Sequence, residues 1–202
     1  NQDLPLLRSA INNDIYYYNG SADDVLKRLL DATELFKMDY FIGITADNPL
    51  FSIHHANIIS DMFKSNSDLD FIYTSGMPIG LNIYGVSKKA LKTVCEIKQE
   101  NDTEIWGYLI NRPEIFNVKE IKVTKKYKFN KSRMTLDEID DYKFFEKLYN
   151  FFPKDSVIDI LDAYKFLKNN PKITAINNKV KQKDLDNKIK KKISKFYKDN
   201  KI

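Results

Sequence analysis

A chain of 202 residues with 43% hydrophobic and 13% aromatic residues can bury a substantial core, which favours one folded domain and excludes general disorder. Its net charge of +5 is a small difference between 33 basic and 28 acidic residues. The excess lysine falls in residues 179–201, so the rest of the chain is close to neutral and no nucleic-acid partner is expected.

Strands and helices alternate along the first hundred residues. Short apolar or aromatic runs predict strands, and amphipathic runs predict helices. This alternation is typical of an α/β protein with a mostly parallel sheet flanked by helices. The predicted strands are 15–18, 40–45, 69–74 and 81–86, with a turn at Pro78 and Gly80, and the predicted helices are 53–65, 87–99 and one from Ser21 or Asp23 to about Phe36.

The second half of the chain is less regular and richer in helix. We expect one α/β domain over residues 1–178, followed by a lysine-rich helix or tail over 179–202. Ile189, Ile193 and Phe196 share one stripe of that tail, which fits either a homodimer or docking onto the same chain. The predicted elements are helix 103–111, strand 116–123, a short strand 132–136, helices 138–151 and 156–168, and helical segments from Pro171 onward.

Asp47 follows an apolar run that reads as a strand covered on both faces. The run Tyr40-Phe41-Ile42-Gly43-Ile44 has no polar alternation, and Pro49 ends any ladder beyond it. Ligands of open α/β sheets bind outside the carboxyl ends of the strands. A carboxylate held there suits Mg²⁺ and nucleotide phosphates. The alternative is a carboxylate that only caps the next turn or helix.

Asp137 is the second carboxylate of interest. It follows the short apolar run Met134-Thr135-Leu136 and directly precedes the predicted helix 138–151. If both runs are strands of one sheet, Asp47 and Asp137 converge at the same rim and can share a Mg²⁺ ion. The alternative for Asp137 is an N-cap of that helix, and the two roles can coexist.

Several other chemistries are excluded or disfavoured. His54 and His55 are the only histidines and have no cysteine or third histidine nearby in sequence, so a zinc site is not expected. No Gly-x-Ser-x-Gly elbow, phosphate-binding P-loop or Gly-x-Gly-x-x-Gly motif is present. The single Cys95 excludes an internal disulfide framework and fits a reducing compartment, so we expect a cytoplasmic protein, and no apolar run approaches the length of a membrane span.

Three segments carry a resemblance to a known family through their order and spacing. They are Gly-Ser-Ala-Asp-Asp-Val-Leu-Lys-Arg at 20–28, Ile-Thr-Ala-Asp-Asn-Pro-Leu at 44–50 and Arg-Met-Thr-Leu-Asp at 133–137. Weaker likenesses occur at 78–84, 111–114 and 170–177. The chain resembles the cytidylyltransferases typified by the spore-coat polysaccharide biosynthesis protein F, relatives of the CMP-sialate and CMP-KDO synthetases. The resemblance covers most of the chain, from about residue 15 to about residue 185.

The resemblance implies a fold, a reaction and roles for particular residues. The fold is that of the nucleotide-diphospho-sugar transferases (GT-A-like), and the reaction joins CMP from CTP to an acidic acceptor with release of pyrophosphate. Asp47 and Asp137 are implied to be the Mg²⁺ ligands.

Further residues are implied or suggested to bind the nucleotide or the acceptor. Ser21, Asp24 and Arg28 would line that side of the site, and Asn82 falls in a segment near the acceptor. Arg28, Arg133 or Lys131 could neutralise phosphate, although an arginine such as Arg133 often pairs with a neighbouring aspartate instead.

The chain departs from the family pattern in three places. The first strand and the Arg- and Gly-rich phosphate loop are expected to precede Asn1, and we expect the chain to be a fragment of a longer enzyme. The family's Gly-Leu-Asp-Val-Glu reads Gly-Leu-Asn-Ile-Tyr at 80–84, and its Glu-His-Val-Thr is replaced at 103–106. Fewer carboxylates favour an acceptor that is more anionic than the family's typical one, or differently shaped. A phosphorylated or phosphonate-bearing molecule, used for a surface polysaccharide or capsule, is therefore as plausible as a sugar acid.

Two alternative functions stay open at this stage. A glycosyltransferase of the same fold usually carries an Asp-x-Asp metal motif, and Asp68-Leu69-Asp70 has that spelling but precedes a strand. A truncated, non-catalytic binding module is the second alternative, because the phosphate loop is absent from these residues.

Overall fold

The computed structural model describes residues 4–99, 106–129, 132–182 and 187–199, and within the last range the side chains of positions 192, 196 and 199 are not described. The strands are β1 (Tyr40–Gly43), β2 (Phe71–Ser75), β3 (Tyr84–Ser87) and β4 (Val118–Lys122). The helices are α1 (Leu4–Asn12), α2 (Val25–Leu35), α3 (Ile53–Ser65), α4 (Lys88–Ile97), α5 (Trp106–Ile110), α6 (Ile139–Tyr149), α7 (Ile160–Asn169), α8 (Pro171–Thr174) and α9 (Asn187–Asp199), with a 3₁₀ turn at Lys125–Tyr127.

The four strands form one mixed sheet in the order β1-β3-β2-β4. β3 is antiparallel to both β1 and β2, and among the described strands only β2 and β4 pair in parallel. The prediction of a mostly parallel sheet is therefore wrong in its pairing. The physical reason lies in the connection 76–83, which contains no helix and is too short for a crossover, so β3 folds back beside β2 as a hairpin.

Two predicted strands do not form. Residues 15–18 are irregular, and Tyr16 is 89% exposed, because no strand among the described residues pairs with this tyrosine-rich run. Residues 132–136 also lie outside the sheet. Their backbone bonds to loops instead, as described below.

Most helices agree with their sequence signals. The prediction of helix 53–65 is confirmed to the residue by α3, whose N-cap Ser52 accepts a hydrogen bond from the His55 N–H. Helix α2 begins after Asp24, which is the N-cap in place of the predicted Ser21 or Asp23. Among the described residues, α1 and the 3₁₀ turn were not predicted from the sequence, and α1 buries none of its residues.

Helices cover both faces of the sheet because successive side chains of a strand point in opposite directions. Ile72 packs with Ile59 and Phe63 of α3 on one face. Phe71 and Val86 pack on the other face against α2, α4, α5 and α9. None of the described helices is long and apolar enough to span a membrane.

Helix α9 docks onto the same chain rather than standing free. Ile193 and Tyr197 are 3% and 2% exposed and pack with Leu109 and Ile110 of α5. The predicted stripe is thus used within the chain at Ile193, while the side chain of Phe196 lies outside the described part.

A third apolar cluster lies beside the sheet and supports the loops that carry the predicted site. Met134 and Phe144 are fully buried in it with Leu50, Leu81 and residues of α7. Gly80 brings the connection 76–83 against this region, since its φ of +92° completes the predicted turn, in which the Leu81 N–H bonds to the Pro78 carbonyl.

Replacing Gly80 with alanine should destabilise the protein by at least about 2 kcal/mol, because the backbone has a left-handed φ and an added Cβ would lie 2.1 Å from the Met134 carbonyl oxygen. Urea denaturation measures this change. The matched control is Gly107→Ala in α5, where an added Cβ meets nothing within 4 Å. That variant should be unchanged or more stable by about 0.5–1 kcal/mol. Equal stability of the two variants would contradict the role of Gly80 in this turn.

Candidate active site

The loop that carries Asp47 and the segment that carries Asp137 meet in the structure. The Leu136 N–H donates to the Asp47 carbonyl at 2.8 Å, and the Met134 N–H donates to the Ile79 carbonyl at 2.8 Å. The Tyr149 hydroxyl of α6 also donates to the Pro49 carbonyl at 2.8 Å. The convergence of the two acidic segments, predicted from sequence, is therefore found, although it forms between loops rather than between two strands.

Asp47 presents one satisfied and one unsatisfied carboxylate oxygen. Its Oδ2 accepts a hydrogen bond from the Thr135 hydroxyl at 3.2 Å. Its Oδ1 is buried and has no hydrogen-bond partner among the described residues, and the same holds for Oδ1 of the adjacent Asn48. A buried carboxylate oxygen without a donor is costly, which marks this point as one where a ligand, ion or water would be stabilised.

Asp137 is partly exposed and forms an ion pair with the Arg133 guanidinium, which contacts its Oδ2. It is not the N-cap of α6, because Glu138 takes that position. The pairing of Arg133 with a neighbouring aspartate is therefore the alternative that the structure supports for this arginine.

Arg133 is 9% exposed and belongs to a buried polar network. Its Nε donates to both carboxylate oxygens of Asp141, at 3.2 and 3.1 Å, and its Nη1 contacts Gln182. Asn177 donates from Nδ2 to the Arg133 carbonyl at 3.0 Å and to Asp141 at 2.8 Å. The network joins α6 to the segment after α8.

Asp141 and Asn177 are both fully buried, and sequence reasoning gave neither a role. Asp141 sits three residues after Glu138, the spacing of a capping box, so its position in α6 had a readable signal. Asn177 lies inside a segment of the family resemblance, but its partners are distant in sequence and no local pattern points to them.

The Asp141 carboxylate is ionised at neutral pH. Burial raises its pKa, but this effect is outweighed by hydrogen bonds from Asn177, from the Asp137 N–H, from Arg133 and from the Glu138 N–H, so the pKa lies below its ordinary value of 3.8.

The candidate site has two carboxylates that could bind a metal ion, those of Asp47 and Asp137. Among the described residues, no group of three or more histidine, cysteine or acidic side chains is arranged to hold an ion. Mg²⁺ is commonly held by one or two carboxylates together with waters and phosphate oxygens. The unpartnered Oδ1 of Asp47 fits such an ion, and Asp137 has a second oxygen besides the one that Arg133 contacts. The donor set therefore fits Mg²⁺.

Comparisons with known proteins show which family and fold this chain shares. No model of a known protein family matches the chain. The uncharacterized protein MJ1063 of Methanocaldococcus jannaschii is 31% identical over 170 residues, which cover 82% of this chain and 68% of that protein. The spore coat polysaccharide biosynthesis protein SpsF of Bacillus subtilis is 23% identical over 159 residues, covering 76% of this chain and 65% of SpsF.

The fold is shared with a solved structure, a cytidylyltransferase from Leptospira borgpetersenii, with a TM-score of 0.77 and 22% identity over 91% of this chain and 76% of that one. The chain belongs to the SpsF-like cytidylyltransferase family. It spans about two thirds of the length of the two curated relatives.

Other residues implied by membership of the cytidylyltransferase family lie in different clefts. Ser21 and Arg28 line a cleft of about 700 Å³ together with Leu7 of α1 and Tyr18. Arg28 contacts the Ser21 carbonyl, and the Ser21 hydroxyl accepts from the Asp24 N–H at 3.1 Å. The guanidinium and hydroxyl thus shape this cleft through local contacts.

Asn82 is exposed and lines a separate cleft of about 660 Å³ with the aromatic side chains of Tyr73, Tyr84 and Trp106. Its Nδ2 donates to the Met77 carbonyl at 3.4 Å. Lys131, suggested as a phosphate contact, lies outside the described residues. The structure therefore brings the Asp47 loop against the segment that carries Arg133 and Asp137, and it places Ser21, Arg28 and Asn82 in other clefts.

Asp24 has a structural partner in Lys98 of the segment after α4. The Lys98 ammonium contacts its Oδ2, and the Lys27 N–H donates to its Oδ1 at 3.0 Å. Burial raises the pKa of Asp24. The hydrogen bonds from Lys98 and from the Lys27 N–H, together with the positive charges of these lysines, outweigh this effect, so the pKa lies below its ordinary value of 3.8.

Asp24→Asn should keep the N-cap but lose the ion pair, and so lower the free energy of unfolding by about 1–3 kcal/mol at neutral pH. Because the folded-state pKa is depressed, the contribution of the carboxylate is complete above 3.8 and is lost as the pH falls through the lower folded-state value. Urea denaturation from neutral pH to about pH 3 should show the difference between the proteins shrinking with acid. A difference that stays constant with pH would contradict the assignment.

Proposed function

We propose that this chain is part of a Mg²⁺-dependent cytidylyltransferase that transfers CMP from CTP to an anionic small-molecule acceptor and releases pyrophosphate. The acceptor class is a sugar acid or a phosphorylated or phosphonate-bearing molecule, and the product serves surface polysaccharide or capsule biosynthesis. The observation that carries the proposal is that the Asp47 loop is hydrogen-bonded to Thr135 and Leu136, the residues directly before Asp137, although the two segments are remote in the chain.

In the proposed reaction an acceptor oxyanion attacks the α-phosphorus of CTP, a P–O bond to the acceptor forms, and the bond to the β-phosphate breaks as pyrophosphate leaves. A bound Mg²⁺ would neutralise charge on the phosphate oxygens and the departing pyrophosphate. Asp47 and Asp137 would hold the ion. Catalysis of this kind depends on placement and electrostatics, so the chain needs no nucleophilic side chain of its own.

The chain's own residues are suited to keeping the two carboxylates in place. Thr135 orients Asp47 through its hydroxyl, and Arg133 orients Asp137 through its guanidinium. Arg28 and Ser21 would contact the nucleotide or the acceptor from their cleft, and Asn82 would do so from the aromatic cleft. These last contacts are proposed from the family resemblance and from the lining residues.

The glycosyltransferase alternative loses its best sequence feature. Asp70 is a buried structural carboxylate that accepts the Asn117 N–H at 3.0 Å and the Ser87 hydroxyl at 3.3 Å. Asp68 is exposed. Because the Asp70 carboxylate already accepts these two hydrogen bonds inside the protein, the Asp-x-Asp pair is poorly placed to bind a metal. This supports the cytidylyltransferase over the glycosyltransferase.

A homodimer stays a prediction of the sequence. Ile193 and Tyr197 are covered by α5 within the chain, and Ile189 is the member of the stripe with a described side chain that reaches the surface.

Asp47→Ala in the intact protein should lower CTP-dependent pyrophosphate release at least about 100-fold, because one of two carboxylates facing the ion is lost. The assay presents CTP with a panel of sugar acids and phosphorylated acids, and circular dichroism checks that the variant is folded.

The control is Asp68→Ala, an exposed aspartate of the rejected Asp-x-Asp motif, which should release pyrophosphate at the unaltered rate. Near-normal turnover by a folded Asp47→Ala protein, or loss of activity in Asp68→Ala alone, would refute the proposed site.

A further inference from the structure

Asp141 makes more contacts than a helix cap requires. A capping box accounts for its bonds to backbone N–H groups at the start of α6, where its Oδ2 accepts from Asp137 and Glu138 at 3.1 Å each. It does not account for the buried ion pair with Arg133 or for the hydrogen bond from Asn177. These additional partners lie away from the helix terminus and call for another explanation.

Stability alone does not explain the buried pair. The Arg133 side chain is 8% exposed and that of Asp141 is 0% exposed. Removing both charges from water costs free energy that their attraction often fails to recover, so a buried ion pair is weak evidence for a stabilising role. The buried Arg133–Asp141 pair is therefore better explained by the residue that it positions, which is Asp137.

The network fixes Asp137 at two points. Asp141 accepts a hydrogen bond from the Asp137 backbone N–H, and Arg133 bridges from Asp141 to the Asp137 carboxylate. Asn177 locks the arrangement because its amide donates to both the Arg133 carbonyl and the Asp141 carboxylate. Backbone and side chain of Asp137 thus share one anchor.

Charge balance gives Asp141 a second effect. An unpaired Arg133 guanidinium beside Asp137 would cancel the negative charge that attracts a cation. Because the Asp141 carboxylate contacts the same guanidinium through Nε, Arg133 is shared between two carboxylates, and its positive charge cancels less of the negative charge on Asp137.

We propose that Asp141 is a positioning residue of the candidate metal site, acting through Arg133 and the Asp137 backbone, with Asn177 holding it in place. The inference rests on the proposed function, since it concerns the same ion. Partners of this kind commonly change metal affinity about 10–100-fold when they are removed.

The test measures binding of Mn²⁺ alone to the intact protein by electron paramagnetic resonance. Asp141→Asn keeps the shape of the side chain but removes its charge, and should weaken Mn²⁺ binding about 10–100-fold. In an Asp137→Ala background the same substitution should have no further effect, because its action passes through Asp137. An equal weakening in both backgrounds would overturn the proposal.

The matched control is Asp70→Asn, which also changes a buried aspartate that accepts a backbone N–H, but at the start of β2. It should leave Mn²⁺ affinity unaltered whatever its effect on stability. If Asp141→Asn does not fold, Asn177→Ala serves instead, since it keeps the charge and loses one donor to Asp141. A folded Asn177→Ala or Asp141→Asn protein with unaltered Mn²⁺ affinity would overturn the positioning role.

Failure of the function and failure of this inference give different results. If Asp47→Ala and Asp137→Ala both bind Mn²⁺ as the unaltered protein does, the metal site itself is refuted and the positioning role falls with it. If those variants lose Mn²⁺ while a folded Asp141→Asn protein does not, only the positioning role is refuted.

Discussion

The backbone hydrogen bond from the Leu136 N–H to the Asp47 carbonyl joins two segments that no strand pairing connects. This bond fixes the position of the Asp47 loop relative to the segment before Asp137. A second hydrogen bond, from the Thr135 hydroxyl to the Asp47 carboxylate, joins the same two segments. The apolar cluster beneath, with Met134 and Leu50 inside it, holds both segments against the domain. The candidate site is thus a junction of loops supported by a packed core, and the sheet contributes mainly by carrying those loops.

Much of this arrangement could be predicted from sequence, because local signals were strong. Ser52 before an apolar periodic run defined α3, and Pro78 with Gly80 defined a turn. The meeting of the Asp47 loop with the segment before Asp137 was expected from acidic residues that follow apolar runs, in an order that resembles a known family. The GT-A-like assignment and the identity of the acceptor stay predictions, since the shared fold does not specify them.

The sequence-based predictions were wrong where the structure of a segment depends on residues that are distant in sequence. The direction of β3 depends on which strand it joins, and only the short connection 76–83 could have indicated a hairpin. Tyrosine-rich residues 15–18 have strand propensity, but propensity without a pairing strand does not form a ladder. Asp141 and Asn177 escaped notice because one resembles an ordinary cap residue and the other is remote in sequence from everything it contacts.

The burial of the Arg133–Asp141 pair has a consequence for how the protein responds to its medium. Dissolved ions screen charges that water can reach, over a distance of about 8 Å at physiological ionic strength, but have little access to a pair inside the protein. Exposed pairs such as Lys143 with Asp140 will weaken as salt is added, whereas the buried Arg133–Asp141 pair will weaken much less. The local scaffold is therefore insulated from changes in cellular ionic strength that alter the surface around it.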